Sequence, residues 1–133
     1  MTTTYFANCI MGNLFHTKEP PTLPTAFYVG LSSTEPNISG ENVSEPSDKA
    51  YARVQLNSLS VPESGMVRNT DPIEFADSTT DWGKITHFVI YDAPTGGNLL
   101  IYNTLDRPRT VQADSQISFA KHGLQLTLKD VSA

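Results

Sequence analysis

The sequence predicts a mainly β protein, an antiparallel β-sandwich of about eight short strands with one amphipathic helix at its N-terminus. Three observations carry that reading. Short apolar runs recur along most of the chain, with turn residues between them. A helical period occurs only within residues 1–18. Nothing alternates as strand, helix and strand in the manner of a parallel sheet.

The helix comes first. In MTTTYFANCIMGNLFHTK, one of Thr2, Thr3 or Thr4 caps the start, and Phe6, Ile10 and Leu14 recur every four residues, with Met11 and Phe15 widening the stripe. Gly12 and Asn13 weaken the interior, and the prolines of EPP end the helix by His16 to Lys18. A short helix of this kind, residues 1–18, either caps an open end of the domain or docks on a neighbouring subunit. Residues 22–133 form the β-sandwich domain.

The strands follow in order. TAFYVGLSS, Thr25 to Ser33, is rich in aromatic and β-branched residues. Residues 34–50 are polar, acidic and interrupted by prolines and a glycine, which reads as a long exposed loop. YARVQLNSLSV alternates, with Tyr51, Arg53, Gln55 and Asn57 on a wet face and Ala52, Val54, Leu56 and then Leu59 near the other. Pro62 to Gly65 turns the chain, Met66 to Asn69 returns, and a short strand surrounds Ile73 to Phe75.

Lys84 to Tyr91 carries bulk on both faces, Ile85, Val89 and Tyr91 on one and Phe88 and Ile90 on the other, so it belongs in the middle of the layered structure. APTGG permits positive φ at Gly96 or Gly97, and NLLIYNT returns to complete a hairpin. Arg107, Pro108 and Arg109 read as a connector before Thr110 and Val111. Gln116 to Phe119 is a short strand, and in LQLTLKDV the side chains of Leu124, Leu126 and Leu128 share a face.

Composition narrows the function classes. The chain has 133 residues, 38 % hydrophobic and 17 % charged, enough for one domain with its own core. A net charge of -5 with nine scattered Lys and Arg disfavours nucleic acid and anionic membrane as partners. One cysteine, Cys9, makes no internal disulfide and no Cys-rich metal site. No apolar run is long enough for a membrane span, and MTTTYFANCIMGN lacks the pattern of a secretory signal, so a soluble product assembled inside the producing cell is expected.

Catalytic chemistry finds little footing. His87 lies mid-strand between Ile85 and Val89, which describes a packed imidazole, and His16 and His122 fall at a helix end and in a turn. No HxxxH, CxxC, GxSxG or phosphate-loop pattern is present, so no cofactor or metal is expected. Asp71, Glu74, Asp77 and Asp81 read as turn-capping and hydrating groups, with a loose carboxylate site at Asp77 and Asp81 left open. Trp82 reads as a core anchor whose indole N–H can find a carbonyl.

The succession YVGLSSTEPN, EPSDKAYARVQLN, IEFADSTTDWGKITHFVIYDAPTGGNLLIYNTLDRPRTV and ISFAKHGLQLTLKD resembles a family of small bacteriophage virion proteins generally labelled tail-fibre protein. The resemblance is strongest at Tyr51-Ala52-Arg53, DWG and THF, and the same fold type also serves as a capsid-surface or decoration module. It implies a non-enzymatic structural protein of the virion, assembled in the bacterial host cytoplasm against capsid or tail subunits and copies of itself. Such an interface removes roughly 1,200–2,000 Å² from water and is led by a few aromatic and arginine anchors. The candidates are Tyr5, Phe6, Ile10, Leu14 and Phe15 on the helix, Tyr51 and Arg53 on the strand face, and Arg107 and Arg109 in the connector. The competing reading is a receptor- or carbohydrate-binding tip recognising the host surface, against which stands the absence of any aromatic between Leu31 and Ala50.

Overall fold

The computed structural model describes residues 1–127. Helix α1 covers Thr4–Leu14, followed by β1 (Tyr28–Ser32), β2 (Val54–Gln55), β3 (Met66–Arg68), β4 (Ile73–Glu74), β5 (Gly83–Tyr91), β6 (Leu99–Val111), β7 (Ser118–Phe119) and β8 (Gln125–Thr127). Every ladder is antiparallel. The order β2-β1-β5-β6 makes one four-stranded sheet, while β3–β8 and β4–β7 are separate two-stranded ladders. The mainly β antiparallel class with one N-terminal helix is as the residues predict. In place of a second continuous sheet there are two small ladders, and β5 and β6 are longer than foreseen. Leu128 to Val131, read from sequence as the end of the last strand, lie outside the described residues.

β5 sits in the middle of its sheet because both of its faces are apolar. Phe88 and Ile90 join the main core with Val29 and Leu31 of β1, Leu100 and Leu105 of β6, and Ile73, Phe75, Phe119 and Leu124 from around the two ladders. Val89 and Tyr91 face the other way and pack with Leu99, Tyr102 and Val43. Strict alternation would put Ile85 beside Val89, yet Ile85 lies in the main core. A register shift between Ile85 and His87 moves it across. Ile85 pairs with Arg109 and His87 with Thr104, so residues 105–108 oppose Thr86 alone. That irregularity admits Pro108 to a strand, because it has no ladder bond to donate there. The expected connector at Arg107 to Arg109 is therefore part of β6.

The β5–β6 turn forms as its glycines require. Gly96 and Gly97 have φ of 61° and 77°, and Asp92 accepts from the Asn98 backbone N–H at 2.7 Å and from its side-chain amide at 3.0 Å.

Residues 34–50, expected to be fully exposed, fold back against the domain. Pro36 and Asp48 are buried, and Val43 covers the smaller cluster. The end of this segment is pinned by Asp48. Its carboxylate accepts from the backbone N–H groups of Ala50 (3.0 Å), Thr79 (2.6 Å) and Thr80 (3.0 Å), from the Thr79 hydroxyl (2.5 Å) and from the Trp82 indole N–H (2.9 Å). Trp82 is 7 % exposed and meets the Tyr51 ring edge-on at 5.5 Å. The partner of its indole is this carboxylate and not the expected carbonyl. The Thr79 hydroxyl, followed by the Ala50 amide, holds the Asp48 carboxyl well below the usual carboxylate range, with the Trp82 and Thr80 donors adding to them against the opposing effect of burial.

Two outcomes follow from this arrangement. Trp82→Ala should cost about 3–5 kcal/mol in urea unfolding, and a loss under about 1 kcal/mol would place the ring outside the core. An ordinary unfolded Asp titrates near about 3.9. With its folded value depressed, the stability that Asp48 contributes is present above that pH and is lost as pH falls toward the folded value. The gap in urea midpoint between the parent and Asp48→Asn should stay constant from neutral pH down to about pH 5 and narrow below about pH 4.

Candidate functional site

The N-terminal segment is fastened to the sheet before the helix begins. Thr3 N–H donates to Leu100 O at 2.9 Å, and Tyr102 N–H donates to Met1 O at 3.0 Å, extending the β6 edge. The Thr3 hydroxyl donates to Leu99 O at 2.6 Å and accepts from Phe6 N–H at 3.3 Å, so Thr3 is the N-cap of α1. Tyr5 and Phe6 then pack on the main core, and Cys9 and Gly12 are buried.

The buried stripe is rotated from the Phe6, Ile10 and Leu14 line that the period suggests. Gly12 is why. A Cβ on Gly12 would lie 2.6 Å from Pro20 Cβ, because the chain after the helix folds back over that side. Asn13 Nδ2 donates to Pro21 O at 2.7 Å, and Thr17 N–H to Gly12 O at 3.0 Å. The displaced residues face outward: Met11 is 54 %, Leu14 62 % and Phe15 64 % exposed. Phe6 and Ile10 instead line a groove of about 350 Å³ whose walls, including Phe27, Leu56, Leu59 and Ile101, are apolar apart from a glycine. Leu14 follows Ile10 of the groove by one helical turn.

Tyr51 and Arg53 differ from their expected place on a wet face. The Arg53 side chain is 7 % exposed. Its guanidinium donates to Glu45 at 2.7 Å and 3.0 Å, to Ala93 O and Gly96 O at 2.8 Å each, and lies 3.6 Å over the Tyr91 ring. The Tyr51 hydroxyl donates to Glu45 at 2.5 Å and accepts from Leu31 N–H at 3.0 Å. Burial, and then the Glu45 carboxylate, push the Tyr51 hydroxyl well above its ordinary value. Gly30 makes the room: a Cβ there would stand 2.8 Å from the Tyr51 hydroxyl and 2.9 Å from Glu45. At Tyr51 and Arg53 the face is not wet, because segment 34–50 covers it and brings the acid that Arg53 needs, while Gln55 and Asn57 stay exposed.

Arg109 reaches Ser118 O at 2.8 Å and lies 5.7 Å from the Phe119 ring centroid, while Arg107 is exposed. The candidate residues thus fall into three sets with separate partners: the α1 face, the Arg53 cluster and the Arg109 contact. Glu45 and Asp48 were missed, and Met11 and Leu59 were read only as part of the helix stripe and of the strand. Asp48 has no local signal, since Thr79, Thr80 and Trp82 lie more than thirty residues along the chain, whereas Glu45 meets Tyr51 and Arg53 only 6 and 8 residues on.

The catalytic candidates do not converge. His87 is buried, its Nδ1 2.8 Å from the Thr86 hydroxyl, and burial holds its pKa down. Asp81 accepts from Ala113 N–H at 2.8 Å, a turn contact. Among the described residues no three His, Cys, Asp or Glu side chains are grouped to hold a metal ion, and no helix is long and apolar enough to cross a membrane.

The Arg53 cluster and the exposed Arg107 should respond to mutation very differently. Arg53→Ala leaves Glu45 without its ion pair and should cost about 3–5 kcal/mol in urea unfolding. Arg107→Ala should stay within about 0.5 kcal/mol of the parent.

Comparison with protein families matches residues 1–127 to the family described as podophage GP4 fiber I protein gp80. No curated protein matches the chain. The match runs across every described residue, from the tethered N-terminal helix through the last strand. The chain therefore belongs to the Gp80 family, that of the podophage GP4 fiber I protein.

Proposed function

We propose that this member of a phage fibre structural family works as a non-enzymatic assembly module on the virion surface, as a capsid decoration or a tail or fibre element. It binds other virion proteins, capsid or tail subunits, together with copies of itself, after synthesis in the bacterial host cytoplasm. One observation carries the reading. Helix α1 turns Met11, Leu14 and Phe15 to the solvent at more than half exposure while its other face is committed to the domain. Large apolar side chains grouped in this way mark protein contact surfaces, since water contact with them is unfavourable until a partner covers them.

The roles within the surface differ. Leu14 and Phe15, with Met11 beside them, act as the anchors, and Ile10 and Phe6 line the groove next to them. Tyr5 holds the helix on the core. Arg107 contributes an exposed charge, while Tyr51, Arg53 and Arg109 stiffen the backbone beneath through the bonds already described.

The test is particle assembly with Leu14→Asp and Phe15→Asp. Both sites are exposed, so the variants should unfold within about 0.5 kcal/mol of the parent. They should nevertheless be absent, or reduced at least tenfold, in purified particles scored by mass spectrometry. Incorporation at the parental level by both variants would overturn the assignment of this surface.

A further inference from the structure

A second cavity, of about 520 Å³, lies far in character from the apolar groove. Its walls are Ser60, Val61, Glu63, Met66, Arg68 and His122, with Ser64 at the turn. Its size falls within the range of small-molecule sites, roughly 300–1,000 Å³.

The frame of this cavity is tightly bonded. Ser60 N–H donates to Arg68 O at 2.8 Å, and Arg68 N–H to the Ser60 hydroxyl at 2.9 Å. Glu63 and Met66 exchange two backbone bonds of 3.0 Å around Ser64 and Gly65, which both have positive φ, a tight two-residue turn. On the opposite wall, His122 is held in the left-handed region with φ 65°. Asn69 keeps it there: fully buried, it accepts from His122 N–H at its backbone and from Leu124 N–H at its side chain, and donates to Ala120 O and Asp71 O.

The polar heads on that frame are disengaged. Among the described residues, the Arg68 guanidinium touches only the Met66 thioether at 3.4 Å, a weak acceptor, and the Glu63 carboxylate and His122 imidazole have no hydrogen-bond partner. Arg53 is the contrast, since each of its nitrogens is occupied within the protein. These charged groups are exposed, on a concave frame held by backbone bonds, and their lack of internal work fits a ligand site.

We infer that this cavity binds an acidic saccharide, a sugar bearing a carboxylate or phosphate. Arg68 offers the planar fork that pairs with either anion. Glu63 accepts from sugar hydroxyls, Ser60, Ser64 and His122 complete a mixed set of donors and acceptors, and Val61 and Met66 supply apolar wall for the ring. A simple anion leaves Glu63 without a donor, and a neutral sugar leaves the Arg68 charge without a counter-ion. No Phe, Tyr or Trp lines the cavity, so a sugar ring packs there on Val61, Met66 and the His122 imidazole. The inference goes beyond the assembly surface and does not depend on it.

The test is titration of the full chain, followed by amide chemical shifts, with glucuronate, glucose 6-phosphate, glucose, acetate and inorganic phosphate. Glucuronate or glucose 6-phosphate should bind near about 1 mM, at least tenfold tighter than glucose and than the bare anion of the same type, with shifts at residues 60–68 and 122. The better of the two acids identifies the anion. Arg68→Gln should weaken it at least tenfold, and His122→Asn, which tolerates the left-handed backbone, several-fold. Glu63→Gln should weaken the sugar acid and leave the bare anion bound no more weakly, while Lys84→Gln at an exposed site outside the cavity should change nothing. Shifts elsewhere, none at all, bare anion bound as tightly as sugar acid, or a folded Arg68→Gln that binds like the parent would each overturn the inference. Arg68→Gln should enter particles normally, which separates failure here from failure of the assembly surface.

Discussion

The structure depends on the confinement of one carboxylate. Asp48 collects five donors from two separate stretches of chain, its own turn at Ala50 and residues 79–82, which supply Thr79, Thr80 and the Trp82 indole. A buried carboxylate is costly unless its lone pairs are met, and an indole N–H inside a core has the same need. Asp48 and Trp82 satisfy one another. The consequence runs through the fold: Trp82 stands at the entry of β5 and contacts Tyr51, while Tyr51 and Arg53 bind Glu45 of the segment that Asp48 ends. What composition describes as a polar acidic loop is thereby turned into a cover for the second face of the sheet.

The same accounting of polar groups separates the surfaces that hold the fold from those left for partners. Arg53 is closed in by Glu45, two backbone carbonyls and the Tyr91 ring, and Asn69 by its backbone partners. These are internal fastenings. Met11, Leu14 and Phe15 are apolar and exposed, and Arg68, His122 and Glu63 are polar and disengaged. The first group calls for a protein partner and the second for a small polar ligand, by the ordinary preference of each surface for matched contacts.

Much of the element order was legible beforehand. The strand around Tyr28–Ser32, the β5–β6 hairpin with its glycine turn, the Thr cap of α1 and the burial of Trp82 follow from spacing and residue type. Three features were not. Ile85 changes face because of a bulge, and a period of two cannot announce a bulge in advance. Pro108 reads as a break, yet it occupies the unpaired part of a long strand. Phe6, Ile10 and Leu14 read as one stripe, but which side of the helix would be covered was decided by Pro20 lying against Gly12.

By itself the sequence determined what is local: the class of fold, the helix and its cap, the hairpin turn, and the lack of any motif for metal or nucleophile. These depend on φ preferences, side-chain period and the bonding of neighbours within a few residues. Tertiary structure alone decided which polar groups meet. Asp48 finds Trp82, and Arg53 finds Gly96, across more than thirty positions of chain, because burial forces each group to a partner that the folded backbone brings within reach. No local pattern encodes that choice, and it leaves the helix ridge and the Arg68 cavity as the surfaces still open.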